Sequence, residues 1–130
     1  MSQENVEIVR RMYDAFHARD PAGLDYVDSN VVVDARHRVD GRVGRGHDEL
    51  VTILGEWMTT WDDWREEVEE MREVGEQVLV VSTQRGRGKG SGVEWEGRFW
   101  MLYEIKGEKI ARWTIYDDPS EALEAAGLSE

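Results

Sequence analysis

Three runs in the second half of the chain, over 77–85, 93–105 and 109–116, are rich in β-branched and aromatic residues and are separated only by short stretches of turn chemistry. Lys106, Gly107 and Glu108 suit a tight reversal, and the glycines over 86–92 suit a looser one. Connections this short join antiparallel neighbours, because a parallel crossover needs a dozen residues or more. The runs predict an antiparallel meander, and a meander needs something apolar to cover one of its faces.

The first half supplies the cover. Over 4–18 the apolar residues Val6, Val9, Met12, Tyr13 and Phe16 recur at spacings of three and four, which places them on one stripe of a helix. Ser2 or Asn5 is available as its cap, and Asp20-Pro21 ends it. Residues 22–27 allow a short second helix, and Asp28-Ser29-Asn30 reads as a turn into a first strand at Val31, Val32 and Val33. A glycine loop over 40–46 leads to a third helix over 47–60, where Leu50, Ile53, Leu54, Trp57 and then Trp61 keep helical spacing. Residues 62–74 are ambiguous, since Trp64, Val68 and Met71 also keep helical spacing among glutamates that favour helix.

At 130 residues the chain fits a single domain over 1–130, which would bury roughly two thirds of the surface its unfolded form exposes. A formal charge of -12, from 16 Lys+Arg against 28 Asp+Glu, opposes binding to nucleic acid phosphates and to anionic membrane surfaces. The basic cluster Arg85, Arg87 and Lys89 is interrupted by glycines and reads as a twisted strand end. Without cysteine there is no disulfide, no thiol catalysis and no thiolate metal site. The acidic N-terminal stretch holds no continuous apolar run, so the expected location is cytoplasmic, with no membrane span.

The opening Glu4-Asn5-Val6-Glu7-Ile8-Val9-Arg10-Arg11-Met12-Tyr13-Asp14-Ala15-Phe16 and the closing Asp117-Asp118-Pro119-Ser120-Glu121-Ala122-Leu123-Glu124-Ala125-Ala126-Gly127-Leu128 carry a family resemblance. With strands between two terminal helices, the chain resembles the nuclear transport factor 2-like superfamily, in its SnoaL-like, polyketide cyclase-like branch. That resemblance implies an α+β cone: a strongly bent mixed or antiparallel sheet, N-terminal helices and a third helix on its concave face, and a short C-terminal helix. It also implies that 62–74 is a long bent strand, which a bulge near Glu69 and Glu70 would reconcile with the acidic pattern. Members of the branch are mostly homodimers that pack through the outer sheet face.

Enzymes of the superfamily place a carboxylate at the end of the first strand, facing the cavity, as a general base. Asp34 occupies that region, and burial among apolar walls would raise its proton affinity into a useful range. The alternative is a strand-end aspartate paired with Arg36 or Arg38. His37 or Tyr13 would assist a base at Asp34. His17 reads as a helix-surface residue, and His47 with Asp48 and Glu49 as a helix start. No metal-binding spacing of histidines is present, and neither metal nor cofactor is expected. The oxyanion donors of the ketosteroid isomerases fall on Met12 and Met101, and a late aspartate of the limonene epoxide hydrolases falls on Ile115; none of the three can do that chemistry.

Alternation along the last strands puts Phe99, Met101, Tyr103, Trp113 and Ile115 inside the cone, joined by Met12 and Phe16 from the first helix. With Trp57 and Thr83 these residues are the expected ligand contacts, and the pocket suits a hydrophobic cyclic molecule. The opposite parity, Arg98, Trp100, Leu102, Arg112, Thr114 and Tyr116, is either the dimer surface or partial core beneath a loop. The reading that follows is a small-molecule-binding protein, as a cofactor-independent isomerase, cyclase or dehydratase with Asp34 as base. The alternative is a non-catalytic binding or dimerisation domain.

Overall fold

The computed structural model describes residues 3–37 and 41–128. Helix α1 spans Gln3–His17 and turns Val6, Val9, Met12 and Tyr13 into the core, as the spacing dictates. It ends at Arg19, whose φ of 59° is left-handed, and the Asp20 amide donates back to the Ala15 carbonyl at 2.8 Å. This is a Schellman-type end with arginine where glycine is usual. A 3-10 helix, Pro21–Tyr26, follows, its first turn capped by Asp20 Oδ1, which accepts from the Ala22 amide at 2.9 Å.

Strand β1, Val27–His37, is longer than 31–33. The Asp28-Ser29-Asn30 turn survives only as an irregularity inside it, with the Asn30 amide donating to Asp28 Oδ1 at 2.7 Å. Part of the expected glycine loop is a short strand β2, Val43–Arg45, paired antiparallel to β1. Helix α2 spans Gly46–Thr59, and four strands then follow: β3 Trp61–Val74, β4 Gln77–Gly88, β5 Glu94–Lys106 and β6 Lys109–Tyr116. A last helix, α3, spans Pro119–Ala125 and is capped by Asp118.

Residues 61–74 form a strand despite their helical spacing, because β3 pairs with β4 along its whole length and the sheet overrides local propensity. The register shifts between Val68 and Glu70, so Glu69 is the bulged residue. That shift lets Val68 before it and Met71 after it both pack on the core.

The six strands form one mixed sheet in the order β2-β1-β6-β5-β4-β3, in which only β1 and β6 run parallel. Helix α1 touches β3, β4 and β6, and α2 touches β1 and β3, so the sheet bends around both helices. The main core lies between them, with Val31, Val33 and Ala35 from β1 and Phe99, Met101 and Tyr103 from β5. On the other face α3 covers a second, smaller core, in which Leu79, Leu102 and Tyr116 meet Ala122 and Ala126. No helix among the described residues is long and apolar enough to cross a membrane.

Candidate functional site

The three helical elements on the concave side do not close on one another. Between α1, the 3-10 helix and α2 lies a cavity of about 330 Å³, the lower end of the range of small-ligand sites. Met12 and Phe16 line it from α1, Leu24 from the 3-10 helix, Leu50, Leu54, Gly55 and Met58 from α2, and Trp113 from β6. Among the described residues, the charged ones that line it are Arg19 and Asp20, both exposed. Gly55 lies in the interior of α2, where glycine costs about 1 kcal/mol relative to alanine. A Cβ built there meets nothing within 4 Å, so no neighbour demands the missing side chain, and its absence keeps the cavity clear.

Deeper in the cone the space is nearly filled. An inner compartment of about 30 Å³, an order of magnitude smaller than the outer cavity, is bordered by Tyr13, Glu66, Gln84, Met101 and Ile115. Phe16, Leu54, Met58 and Trp113 line both spaces and so form the wall between them. Indoles do much of the filling. Trp57 and Trp64 both donate their N–H to Gln84 Oε1, at 2.7 and 3.1 Å, and Trp61 stacks on Trp95 with ring centroids 4.2 Å apart. Gly86 makes room for this stack: a Cβ there would stand 2.7 Å from the Trp61 Cβ.

The inner compartment holds the buried polar chemistry. The Glu66 side chain is 3 % exposed, and its Oε1 lies 2.9 Å from His17 Nε2. Beside it the hydroxyls of Tyr13 and Tyr103 share a hydrogen bond of 2.6 Å. Desolvation pushes both phenols well above their ordinary range, and the nearby Glu66 charge adds to the effect. Both therefore stay protonated at neutral pH and keep O–H donors. A carboxylate oriented by an imidazole, next to neutral phenols, can take a proton and stabilise a developing oxyanion.

Asp34 does not face this space, which corrects the sequence expectation. Val31, Val33 and Ala35 point into the core, so strand alternation turns Asp34 to the opposite face, level with Thr114. There Arg36 grips it with two bonds, Nε to Oδ1 at 3.0 Å and a terminal nitrogen to Oδ2 at 2.8 Å, and Arg112 adds a third at 2.7 Å. The Arg36 hydrogen bonds lower its pKa from 3.8 to about 2, against the opposing effect of burial, the reverse of what a general base needs. Arg38, the other sequence candidate for this pairing, lies outside the described residues. His37 stacks on Tyr116 at 4.5 Å and stands 3.4 Å from Glu121, away from the cavity.

Among the expected ligand contacts, Met12, Phe16 and Trp113 line the outer cavity, while Phe16, Trp57, Met101, Trp113 and Ile115 border the inner one. Phe99 and Tyr103 are core residues that line neither, although their inward parity is as expected. Thr83 is misplaced by the sequence reading. Val78 and Val80 point inward, so Thr83 points outward, where its hydroxyl bonds Glu69 beside Arg98. The basic cluster is absorbed in surface ion pairs, Arg85 with Glu67 and Glu96, Arg87 with Asp63, and Lys89 with Asp62.

Glu66, Gln84, Leu24, Leu50, Leu54, Gly55 and Met58 were not singled out as site residues. Parity from Val68 through Glu66 would have found the buried carboxylate. Nothing local pairs it with His17, 49 positions earlier in the chain.

The family profile described as SnoaL-like domain matches residues 9–113. Several solved structures share the fold. An NTF2-like protein of unknown function from Burkholderia pseudomallei is 25% identical, with a TM-score of 0.76 over 95% of this chain and 97% of that one. TerC, co-crystallized with polyporic acid, is 21% identical, with a TM-score of 0.77 over 95% and 98%. A protein of Jannaschia sp. CCS1 described as a SnoaL-like polyketide cyclase is 15% identical, with a TM-score of 0.76 over 100% and 96%. No curated protein sequence matches the chain.

Proposed function

The chain belongs to the SnoaL-like domain family, and on that premise we propose that it binds a small hydrophobic cyclic molecule in the cavity between α1, the 3-10 helix and α2. The observation that carries this reading is a ligand-sized apolar space kept clear by a glycine inside a helix. TerC, a neighbour of the same fold, was crystallised with an organic small molecule, which agrees with the reading without assigning a ligand here. The test is a fluorescence titration with the neutral dye N-phenylnaphthylamine. Saturable binding of one molecule per chain supports the proposal, and its absence sinks it.

A second reading, cofactor-free isomerase, cyclase or dehydratase chemistry, is favoured by Glu66. Its buried carboxylate borders the inner compartment, which shares the lining residues Phe16, Leu54, Met58 and Trp113 with the outer cavity. A rotamer change at Met58 or Phe16 would join the two spaces and bring a ring carbon to Glu66 as base, with His17 as its positioning residue. When Tyr103 donates to Tyr13, the Tyr13 O–H is left to donate to the oxyanion. In this reading Glu66 takes the role the sequence suggested for Asp34. Exchange of the α-protons of a cyclic ketone for deuterium, followed by NMR, should fall about a hundredfold or more in Glu66→Gln. Exchange at the buffer rate with the unaltered protein leaves binding as the whole function.

Homodimerisation through the outer sheet face is a separate proposal. It rests on what α3 leaves uncovered, chiefly half-buried Trp100 with the Arg98 guanidinium 5.5 Å from its ring centroid. A monomer in sedimentation equilibrium at micromolar concentration would dispose of it.

A further inference from the structure

Three features meet at Arg19. Its backbone is left-handed, at φ 59°, a conformation that costs a non-glycine residue on the order of 1 kcal/mol. Its guanidinium approaches Met58 Sδ at 4.0 Å and makes no ion pair with any described carboxylate. It also lines both the apolar cavity and an open cleft of about 660 Å³ next to it.

That cleft gathers Arg65, Arg87 and Lys89 with Trp61, Trp64 and Asp63. Arg87 is paired with Asp63, and Lys89 stands 3.6 Å from Asp62. Arg65, like Arg19, has no ion-pair partner among the described residues. Arg19 stands at the mouth of the apolar cavity and Arg65 in the adjoining cleft, which Arg87 and Lys89 line with them against the single carboxylate of Asp63, so the cleft is locally positive in a chain of formal charge -12. Asp20 shares the rim, but its Oδ1 is engaged by the Ala22 amide.

We propose that the ligand is a cyclic organic acid bound as its anion, with the ring body in the cavity and the acid group on the Arg19 guanidinium. This rests on the cavity being the ligand site. The apolar walls supply affinity for any ring of suitable size but little orientation, since the unpartnered buried polar atom among their side chains is the single neutral donor of Trp113 Nε1. Arg19 supplies that orientation, because its planar fork matches a carboxylate with two parallel hydrogen bonds. A left-handed arginine where glycine is cheaper is then a site where stability is given up for recognition.

The position also offers an uncompromised variant. Arg19→Gly removes the guanidinium and relaxes the backbone, so it should melt higher than the parent. Two probes share an aryl-amine body and differ by one anionic group: anilinonaphthalene sulfonate and neutral N-phenylnaphthylamine. The sulfonate should bind the parent protein about tenfold tighter than the neutral amine. Arg19→Gly should remove most of that preference by weakening the sulfonate far more than the neutral amine, and added salt should weaken the sulfonate alone. Equal affinity of the two probes for the parent, or equal weakening of both by Arg19→Gly, overturns the inference. If that happens while Gly55→Leu abolishes neutral binding, the cavity reading still stands. If neither probe binds, both fall together.

Discussion

Gly55 allows the cavity to be filled without harming the helix that borders it. It lies one turn from the end of α2, its carbonyl accepts from Thr59 Oγ1 at 2.8 Å, and its backbone is not left-handed. Replacing it with alanine removes the entropic cost of glycine in a helix, about 1 kcal/mol, and the added Cβ meets nothing within 4 Å. For a chain of this size that corresponds to a rise in Tm of roughly 3–5 °C. Gly55→Leu should keep the gain, since the longer side chain enters an apolar space, and it should also occupy the volume a ligand needs. Calorimetry gives the stability and N-phenylnaphthylamine fluorescence gives the binding. In Gly55→Leu, Tm should rise and binding be lost together, while Gly55→Ala rises in Tm and retains most of its binding. A fall in Tm would mean that the space is not open, and unchanged binding by the leucine variant would mean that the ligand sits elsewhere.

Three further outcomes follow from the polar pairs on either side of the sheet. Asp34→Asn should cost about 1–2 kcal/mol by urea unfolding, because it breaks the Arg36 and Arg112 bonds, and should leave ligand affinity unchanged; loss of binding with stability intact would restore the catalytic reading of Asp34. The folded pKa of Asp34, about 2, lies below the ordinary 3.8, so this stabilisation is fully present above about pH 4 and is lost as pH falls toward 2, a loss that Asp34→Asn should not show. Tyr103→Phe should cost about 1–3 kcal/mol by leaving the Tyr13 hydroxyl buried and alone, whereas the double change with Tyr13→Phe should cost clearly less than the sum of the singles; strict additivity in the mutant cycle would contradict the bond between them.

The parts of this fold legible in sequence are those governed by one period at a time. The inward parity of Phe99, Met101, Tyr103, Trp113 and Ile115 came from alternation, and the structure places all five in the main core. Strand β3 was not legible from its own residues, whose helical spacing is produced by a bulge that re-phases the strand at Glu69; the family resemblance placed it. Asp34 and Thr83 were placed inward against the same alternation that worked for β5, and Val33 and Ala35 around Asp34, or Val80 before Thr83, carried the information to turn them out. Arg36, two residues from Asp34 on the same face, was the visible sign of a structural role. Leu102 and Tyr116 were read correctly as outward, but only the packing of α3 decides that part of this face is a second core.

The cavity itself was the least legible feature. Its walls come from α1, the 3-10 helix, α2 and β6, and its existence depends on how far apart two helices settle on a bent sheet, which no local pattern encodes. The Glu66–His17 contact likewise joins segments 49 positions apart through the packing of α1 on β3. Gly55 was readable as an anomaly, a glycine inside a strongly patterned helix, although its meaning required knowing what lies beyond its Cα.

On this reading the ligand sits in the space between the helices and not in the filled interior of the cone. A crystal soaked with bromonaphthalene and measured at the bromine absorption edge tests it most directly. The expected result is an anomalous peak enclosed by Leu24, Leu50, Leu54 and Trp113. A peak on the outer face near Trp100, or a cavity that stays empty at saturating ligand, would contradict it.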